Sequence, residues 1–478
     1  MIDATVVGAG PNGLVAAVTL AHAGLRVRLV ERGERVGGGM SSAELTLPGY
    51  LHDVCSAVHP GALASSFFRS WGLTERVPFR IPEVSYAHPL DGRPAALAYR
   101  DLDRTVAELE EDGPAWNRMM RPLVDRFAGV QDFTGNQLLR VPRDPIAAVR
   151  YGLRSLVHGP APALAGFRGQ AGPALFAGAA AHTVAPLHSL ASGGAGLMLA
   201  AFGHTVGWGL PVGGSQAIAD ALAADLVAHG GEIVLGQHVG SPADLEPSAA
   251  TLLDTSPAHL ARFGEDLLPG GYRRALERWP RGDGVAKVDF ATSGPIPWSD
   301  PRVATAPTVH LGGTRAEIAA GERDVARGRV PERPYVLLVQ PSFEDPSRAP
   351  AGHHTVWAYI HVPAGSEVDA TELVTQQIER FAPGFRDLVV ASASRSAAEL
   401  EEENPNDPGG EIMGGRMSIW RLVRRPVLST VPWRTPAPGL FLASASTPPG
   451  PSTHGMNGWF AARTALRDVF DIHDAPFA

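Results

Sequence analysis

Apolar runs and one glycine-rich break organise the first thirty residues. Ala4 to Val7 is apolar, Gly8 to Gly13 reads GAGPNG, Pro11 to Ala23 is rich in Ala, Leu and Val, and Arg26 to Glu31 reads RVRLVE. The pattern predicts a strand, a turn, a helix and a second strand ending in an acid. Residues from about 101 to 159 have helical spacing. DLDRTVAELEEDG has an acidic first turn and a glycine stop, and WNRMMRPLVDRFAGV and DPIAAVRYGLRSLVHG follow it. The uncharged stretch Ala171 to Leu210 is interrupted by His182, Pro186, His188 and His204, which predicts buried helices rather than a membrane span. Gly209 to Gly231 holds the clearest single helix. Ser215 stands at its N-cap, Ile218, Leu222, Leu226 and Val227 mark its apolar face, and Gly230 and Gly231 stop it. A short strand, Glu232 to Leu235, follows.

From Val285 to Pro363 the period changes. VAKVDFAT, PTVHLGG, YVLLVQPS and HTVWAYIHV are strand-like runs separated by Pro, Gly and Asp turns, which predicts a mixed or antiparallel sheet. TRAEIAAGERDVARG and Asp369 to Phe381 are predicted as helices. Near the end, GLFLAS predicts a strand, ASTPPGPSTHGMNG a loop and WFAARTALRDVF a helix. With 478 residues there is material for two or three interleaved domains. The expectation is an α/β protein. A Rossmann-type domain with a parallel sheet is assembled from residues 1–75, 206–285 and 401–478. An α+β region is inserted in it, mainly helical over 76–205 and sheet-forming over 286–400.

The glycine turn carries the first chemistry. Gly8 makes the tight turn, Gly10 lets backbone close on a pyrophosphate and Gly13 lets the helix pack on the sheet, with Pro11 and Asn12 completing the loop. The helix N-terminus offers free N–H groups to phosphates, and Glu31 stands where a carboxylate accepts ribose hydroxyls. Gly37, Gly38, Gly39 and Met40 form a second candidate ligand turn. Val239, after the Glu232 strand, is a candidate for the adenine end. The C-terminal strand, glycine-rich loop and helix would hold the far end of a long cofactor, which favours FAD over NAD in a simple dehydrogenase.

Composition excludes more than it assigns. A net charge of −8 without a basic tail argues against a nucleic-acid partner. One cysteine, Cys55, excludes a disulfide framework and a CxxC pair. Lys287 is the single lysine and so the single candidate for Schiff-base chemistry. No GxSxG elbow, HExxH or metal-spaced His/Asp set is present, and no metal is expected. His454, His59 and His204 are the candidate proton carriers. Arg118, Arg121, Arg126, Arg140, Arg143, Arg150 and Arg154 read first as a solvated face and second as a basic patch for a membrane surface or an anionic substrate. No leader is visible, so a cytoplasmic protein is expected, with peripheral membrane contact as a secondary expectation.

Three segments together carry a family resemblance: VVGAGPNGLVAAVTLAHAG…VERGERVGGG, GWGLPVGGSQAIADALAADLVAHGGEI, and RRPVLSTVPWRTPAPGLFLASASTPPGPSTHGMNGWFAARTAL. The chain resembles, over nearly its whole length, the flavin-dependent phytoene desaturase and carotenoid isomerase-like oxidoreductases, and within them the bacterial relatives of pyridine nucleotide-disulphide oxidoreductase domain-containing protein 2. The resemblance implies that Gly8, Gly10, Gly13, Glu31, Arg32, Gly38 and Val239 contact the ADP half of FAD. It also implies that the loop from Ser446 through Gly455, Met456 and Asn457 lies by the flavin ring and ribityl chain. The family usually has a PGGGV-like run where this chain has Pro449-Gly450-Pro451-Ser452-Thr453, and the segment after Val239 is short. The implied activity is FAD-dependent dehydrogenation (desaturation) of an apolar or secondary-metabolite substrate, with oxygen, a quinone or another acceptor reoxidising the flavin. The alternatives are a flavin-dependent isomerase, an amine oxidase-like enzyme of the same fold, and a non-catalytic protein that acts through partners.

Overall fold

Residues 2–477 are described by a computed structural model. Two sheets divide the chain. The first is parallel and five-stranded, in the order Leu440–Leu442, Ala250–Leu253, Ala4–Val7, Val27–Val30, Glu232–Val234. Three distant stretches of chain supply it, as the Rossmann expectation required. The short, almost wholly apolar strands at its centre are buried on both faces, which is how parallel strands read.

The helix Pro11–His22 crosses one face of this sheet, and every residue from Asn12 to Ala21 is buried. Its two neighbours explain that. Gln216–Ala228 covers one flank, and Met456–Phe470 packs on the other. The second contact is close enough that a Cβ on Gly458 would meet the Asn12 carbonyl at 1.8 Å. In the Gln216 helix Ile218, Leu222 and Leu226 face the core, while Val227 is exposed, contrary to the expected apolar face. Ser215 precedes this helix without capping it. Its hydroxyl donates to the Ser56 carbonyl instead.

The second sheet has seven strands, in the order Val389–Arg395, Gly284–Thr292, His354–Val362, Val336–Val339, Thr308–Leu311, Val84–Leu90, Arg93–Tyr99. Every pairing is antiparallel except that of Thr308–Leu311 with Val84–Leu90. The last two strands come from residues 76–205, outside the 286–400 to which the sequence-based partition confined the sheet. Val84–Leu90 is buried throughout and completes the sheet from the other side of the helical region.

Helices between Leu102 and Gly203 cover the face of this sheet that looks toward the parallel-sheet domain. Ala171–Ala181 and Leu190–Gly203 are almost wholly buried, as expected of an uncharged stretch. Their small residues allow close approach: a Cβ on Gly196 would lie 2.9 Å from Phe176. Among the described residues no helix is long and apolar enough to cross a membrane.

A buried charged cluster fastens the two sheets together. Asp53 accepts from Arg348, from the Ser42 hydroxyl (2.7 Å) and from the Ser215 backbone (2.8 Å). Arg348, fully buried, also reaches the Leu51 carbonyl and Asp345. Burial opposes ionisation of Asp53, yet Arg348 and the two donors hold its carboxyl below the usual range.

Candidate active site

A cavity of about 1800 Å³ runs along the seam between the two sheets. One ligand normally fills about 300–1,000 Å³, so this space suits a long cofactor together with a second molecule.

One end is the glycine turn. Gly8 adopts φ +97° immediately after its strand, and a Cβ there would lie 2.7 Å from the Asp254 carbonyl. Gly10 caps the Pro11 helix without a side chain, and a Cβ there would meet the Asp254 carboxylate at 2.9 Å. Gly13 faces the sheet instead, where a Cβ would strike the Gly8 carbonyl at 1.9 Å. Its role is packing, and it does not line the cavity. Glu31 is locked in place: Oε2 accepts from the Ala9 N–H at 2.7 Å and Oε1 from Gly33 at 2.7 Å. Gly8, Gly10, Pro11, Asn12, Glu31, Arg32, Gly38, Gly39 and Val239 all border the cavity. Arg32 also donates to the Glu403 carbonyl, and the Val239 carbonyl accepts from His259 at 2.8 Å. Met40, fully buried, lies behind the glycine turn in the core.

Asp254 is the residue here that motif reasoning missed. It follows the strand beside Ala4–Val7, and its Oδ2 accepts from the Gly13 N–H at 2.8 Å. Burial pushes its carboxyl up to about 7, Glu31 adds to the rise, and the Gly13 bond opposes it. Asn12 Oδ1 is buried beside it without a partner. An anion-friendly helix start, two bare glycines, a fixed ribose acceptor and an unpaired amide oxygen fit the ADP half of a dinucleotide.

The C-terminal loop forms another wall. Ser446, Pro449, Pro451, Ser452 and Thr453 line the cavity, so the departure from a glycine-rich run falls on the ligand side. Gly455, Met456 and Asn457 do not line it. Gly455, at φ +68°, begins the final helix against Val15. Met456 is buried, and Asn457 donates to the Thr447 carbonyl at 2.7 Å. These three build the loop's support rather than its surface.

The floor comes from the second sheet. Side chains two apart on a strand share a face. The pairings Lys287 with Tyr359, and Tyr359 with Leu337, form one row, and Asp289, Trp357 and Val339 form the next. Trp357 and Tyr359 meet edge to face, 5.2 Å apart at an interplanar angle of 81°. Trp357 Nε1 is buried without a partner. Lys287 pairs with Asp289, and its Nζ lies 5.7 Å from the Trp357 ring. Burial lowers the lysine pKa and Asp289 opposes that shift. Trp208 and His182 add to the wall. His182 shares a 2.9 Å hydrogen bond with His310, and burial pushes it down to about 3, so it is neutral near pH 7. Cys55 also borders the cavity, and burial pushes its thiol up to about 12, which leaves it protonated.

None of the three expected histidines borders this space. His59 joins Thr453 (2.6 Å) to Ser215 (2.8 Å) and is fully buried. His204 accepts from Trp116 at 3.0 Å and donates to the Tyr99 carbonyl at 2.7 Å. His454 accepts from the Met456 N–H at 3.1 Å. Burial pushes each down to about 4. His59 and His204 pin distant chain segments together, His454 bonds within its own loop, and the histidine and lysine nitrogens on the wall belong to His182, His238, His259 and Lys287. A different cluster, His22, Asp225 and His229, brings three ligand-type atoms within 4.8 Å of one another. Its carboxylate is already engaged by Trp71 (2.8 Å) and Arg76 (3.3 Å), which makes it a clamp between helices.

With this geometry in place, comparison with known proteins is informative. A family model described as an NAD(P)-binding Rossmann-like domain matches residues 6–71. The chain is 25% identical to the pyridine nucleotide-disulfide oxidoreductase domain-containing protein 2 of Rattus norvegicus, over 98% of this chain and 94% of that protein. Among solved structures, wild-type putrescine oxidase bound to putrescine is similar at a TM-score of 0.58 and 16% identity, with 98% of each chain covered. Cyclohexylamine oxidase from Brevibacterium oxydans is similar at a TM-score of 0.57 and 14% identity, covering 98% of this chain and 99% of that one. The chain has the Rossmann-like FAD-binding fold of flavoprotein oxidoreductases, a parallel-sheet dinucleotide domain joined to a mixed-sheet domain.

Proposed function

We propose that the protein is an FAD-dependent oxidoreductase that removes a hydride from an apolar organic substrate. The observation that carries this reading is the continuity of one cavity, from the Gly8–Gly10 turn, past the Ser446–Thr453 loop, to the aromatic floor of Trp357 and Tyr359. The bound flavin would supply the two-electron chemistry at its ring, and an external acceptor would restore it. The chain's own residues bind and orient. The Pro11 helix start receives the pyrophosphate and Glu31 the ribose. The floor and Trp208 exclude water from the substrate. Lys287, held by Asp289, keeps a proton-bearing nitrogen at the floor, and the free Trp357 N–H offers a donor to a ligand oxygen or nitrogen.

A second reading, oxidation of an amine, is favoured by the perpendicular Trp357 and Tyr359 pair and by acids on the cavity wall. Asp407 is one, with its carboxyl pushed up to about 7 by burial and by neighbouring Glu411. The test is optical. Purified protein reconstituted with FAD should show flavin absorption, and colourless protein would overturn both readings. Anaerobic bleaching by an apolar polyene supports the first reading, and bleaching by putrescine or cyclohexylamine the second. Lys287→Met should slow the bleaching while flavin stays bound.

A further inference from the structure

The helix Pro145–His158 turns Ser155 and Leu156 to the large cavity and ends, at His158, beside a second pocket of about 420 Å³. The two spaces share no lining residue. The second is closed by the end of that helix, by the stretch from Pro162 to Phe176, and by the helix Arg315–Val325. Its volume lies in the ordinary range for a small-molecule site. Much of its lining is apolar, with Phe167 and Phe176 the largest members. Its titratable groups are all basic: Arg315, Arg323, His158 and His188 border it, and no carboxylate does.

The helix that carries the two arginines leaves them uncompensated. RAEIAAGERDV holds three acids, and each is committed elsewhere: Glu317 to Arg380 (2.9 Å), Glu322 to His361 (2.7 Å) and Asp324 to Arg329. Arg315 and Arg323 lie two steps of four apart, on one face with Ala319 between them, and neither forms an ion pair among the described residues. Burial lowers the Arg315 pKa, and no acid opposes the shift. One Arg315 N–H donates to the His158 carbonyl at 3.3 Å and closes that helix end, which uses one of its five donors. His158 is the second observation. It is 5% exposed, its ring lies against Phe176 (5.3 Å between centroids) and Phe167 (6.0 Å), and neither ring nitrogen has a hydrogen-bond partner among the described residues. A buried polar ring left unpaired costs free energy that a ligand atom can recover. Burial, then Arg315 and Arg154, push its pKa down to about 4, so near pH 7 the neutral ring keeps one N–H to donate. Behind burial, Arg315 and Arg323 lower His188 as well, so their positive field reaches across the pocket.

We propose that this pocket binds a small organic anion, a carboxylate or phosphate group carried on a flat apolar body. The guanidinium forks of Arg315 and Arg323 match the oxygens of either head group. His158 adds a neutral donor, and Phe167 and Phe176 face the apolar body. A solvated cationic surface accounts for Arg323 alone. It does not account for Arg315 and His158, which the fold takes out of water without giving them a charge partner or, for the ring, any partner. The site stands apart from the cofactor cavity, so it does not depend on the reaction proposed above.

The test is calorimetric titration of the FAD-loaded full chain with benzoate, phenyl phosphate, inorganic phosphate and benzyl alcohol. Saturable binding of benzoate or phenyl phosphate is expected, and the tighter of the two identifies the head group. Inorganic phosphate should bind about tenfold more weakly or worse, and benzyl alcohol should not bind. Arg323→Gln, at an exposed position, should weaken binding about tenfold with the melting temperature unchanged, and Arg315→Gln at least as much. Ala316→Trp, also at an exposed position, should block the pocket while both arginines stay in place. The flavin spectrum should not move when the anion is added. The proposal is overturned if neither aromatic anion binds, or if binding is unchanged in both Arg323→Gln and Ala316→Trp. It is equally overturned if inorganic phosphate binds as tightly as phenyl phosphate, or if the anion shifts the flavin spectrum, which would put it in the large cavity.

Discussion

At the scale of single residues, the glycine turn was legible because its chemistry is local. Gly8, Gly10 and Glu31 lie within 24 positions of one another, and each role follows from backbone shape at its own position. Histidine function is not local in that sense. His59 and His204 could be recognised as pins only once their partners, up to 394 residues away, were in place, while His454 bonds to the Met456 N–H two residues on. Lys287 stood out by being alone, but only strand register put Asp289 and Tyr359 around it. Gly13→Ala should cost about 1–3 kcal/mol or more, because its Cβ would strike backbone, and should abolish flavin retention. Urea denaturation and flavin absorption measure the two effects. Asp254 predicts a pH effect. Its carboxyl is raised from 3.8 to about 7 in the folded protein, so the stability it contributes is full below 3.8 and lost as pH rises through about 7. Asp254→Asn cannot ionise and retains an acceptor for Gly13. In the flavin-free protein its melting temperature relative to wild type should climb between about pH 4 and pH 7 and level off above. A difference independent of pH would show that Asp254 does not titrate in this window.

At the scale of elements, periodicity located most helices and the four strands after Val285. It failed at Val84–Leu90 and Arg93–Tyr99, which the flanking helical segments obscured. Val84–Leu90 is paired with Thr308–Leu311, more than two hundred residues on, which no local pattern encodes, whereas Arg93–Tyr99 pairs only with Val84–Leu90 in a hairpin whose turn, Asp91-Gly92, is a local signal. The same distance hid the Asp53–Arg348 pair, which holds the Leu51–Asp53 strand, the start of the Gln216 helix and the turn after Val339 in one place. Arg348→Met leaves Asp53 buried without its cation. The expected loss is about 3–5 kcal/mol in urea denaturation, and adding Asp53→Asn should recover part of it. A loss below about 1 kcal/mol would mean that water reaches the pair.

At the scale of the whole molecule, the fold class was legible and the floor of the cavity was not, since a floor exists only between elements. The cavity touches both sheets, so a ligand filling it should stabilise them as one unit. FAD at about a hundred times its dissociation constant should add about 2.7 kcal/mol and raise a single melting transition. Two transitions, with only one of them moving, would mean that the sheets unfold separately and that FAD is held by the parallel one alone.

The close contact between Asn12 and Gly458 has a consequence for biosynthesis. The Pro11–His22 helix is among the first parts of the chain made, yet its outer flank is covered by the helix Met456–Phe470, and the sheet under it lacks its Leu440–Leu442 edge strand until the same stage. At about 5–20 residues per second, translation leaves that apolar flank waiting for tens of seconds. Chains cut short before the final helix should leave the cofactor domain open and fail to retain FAD, which flavin absorption of the truncated protein would check.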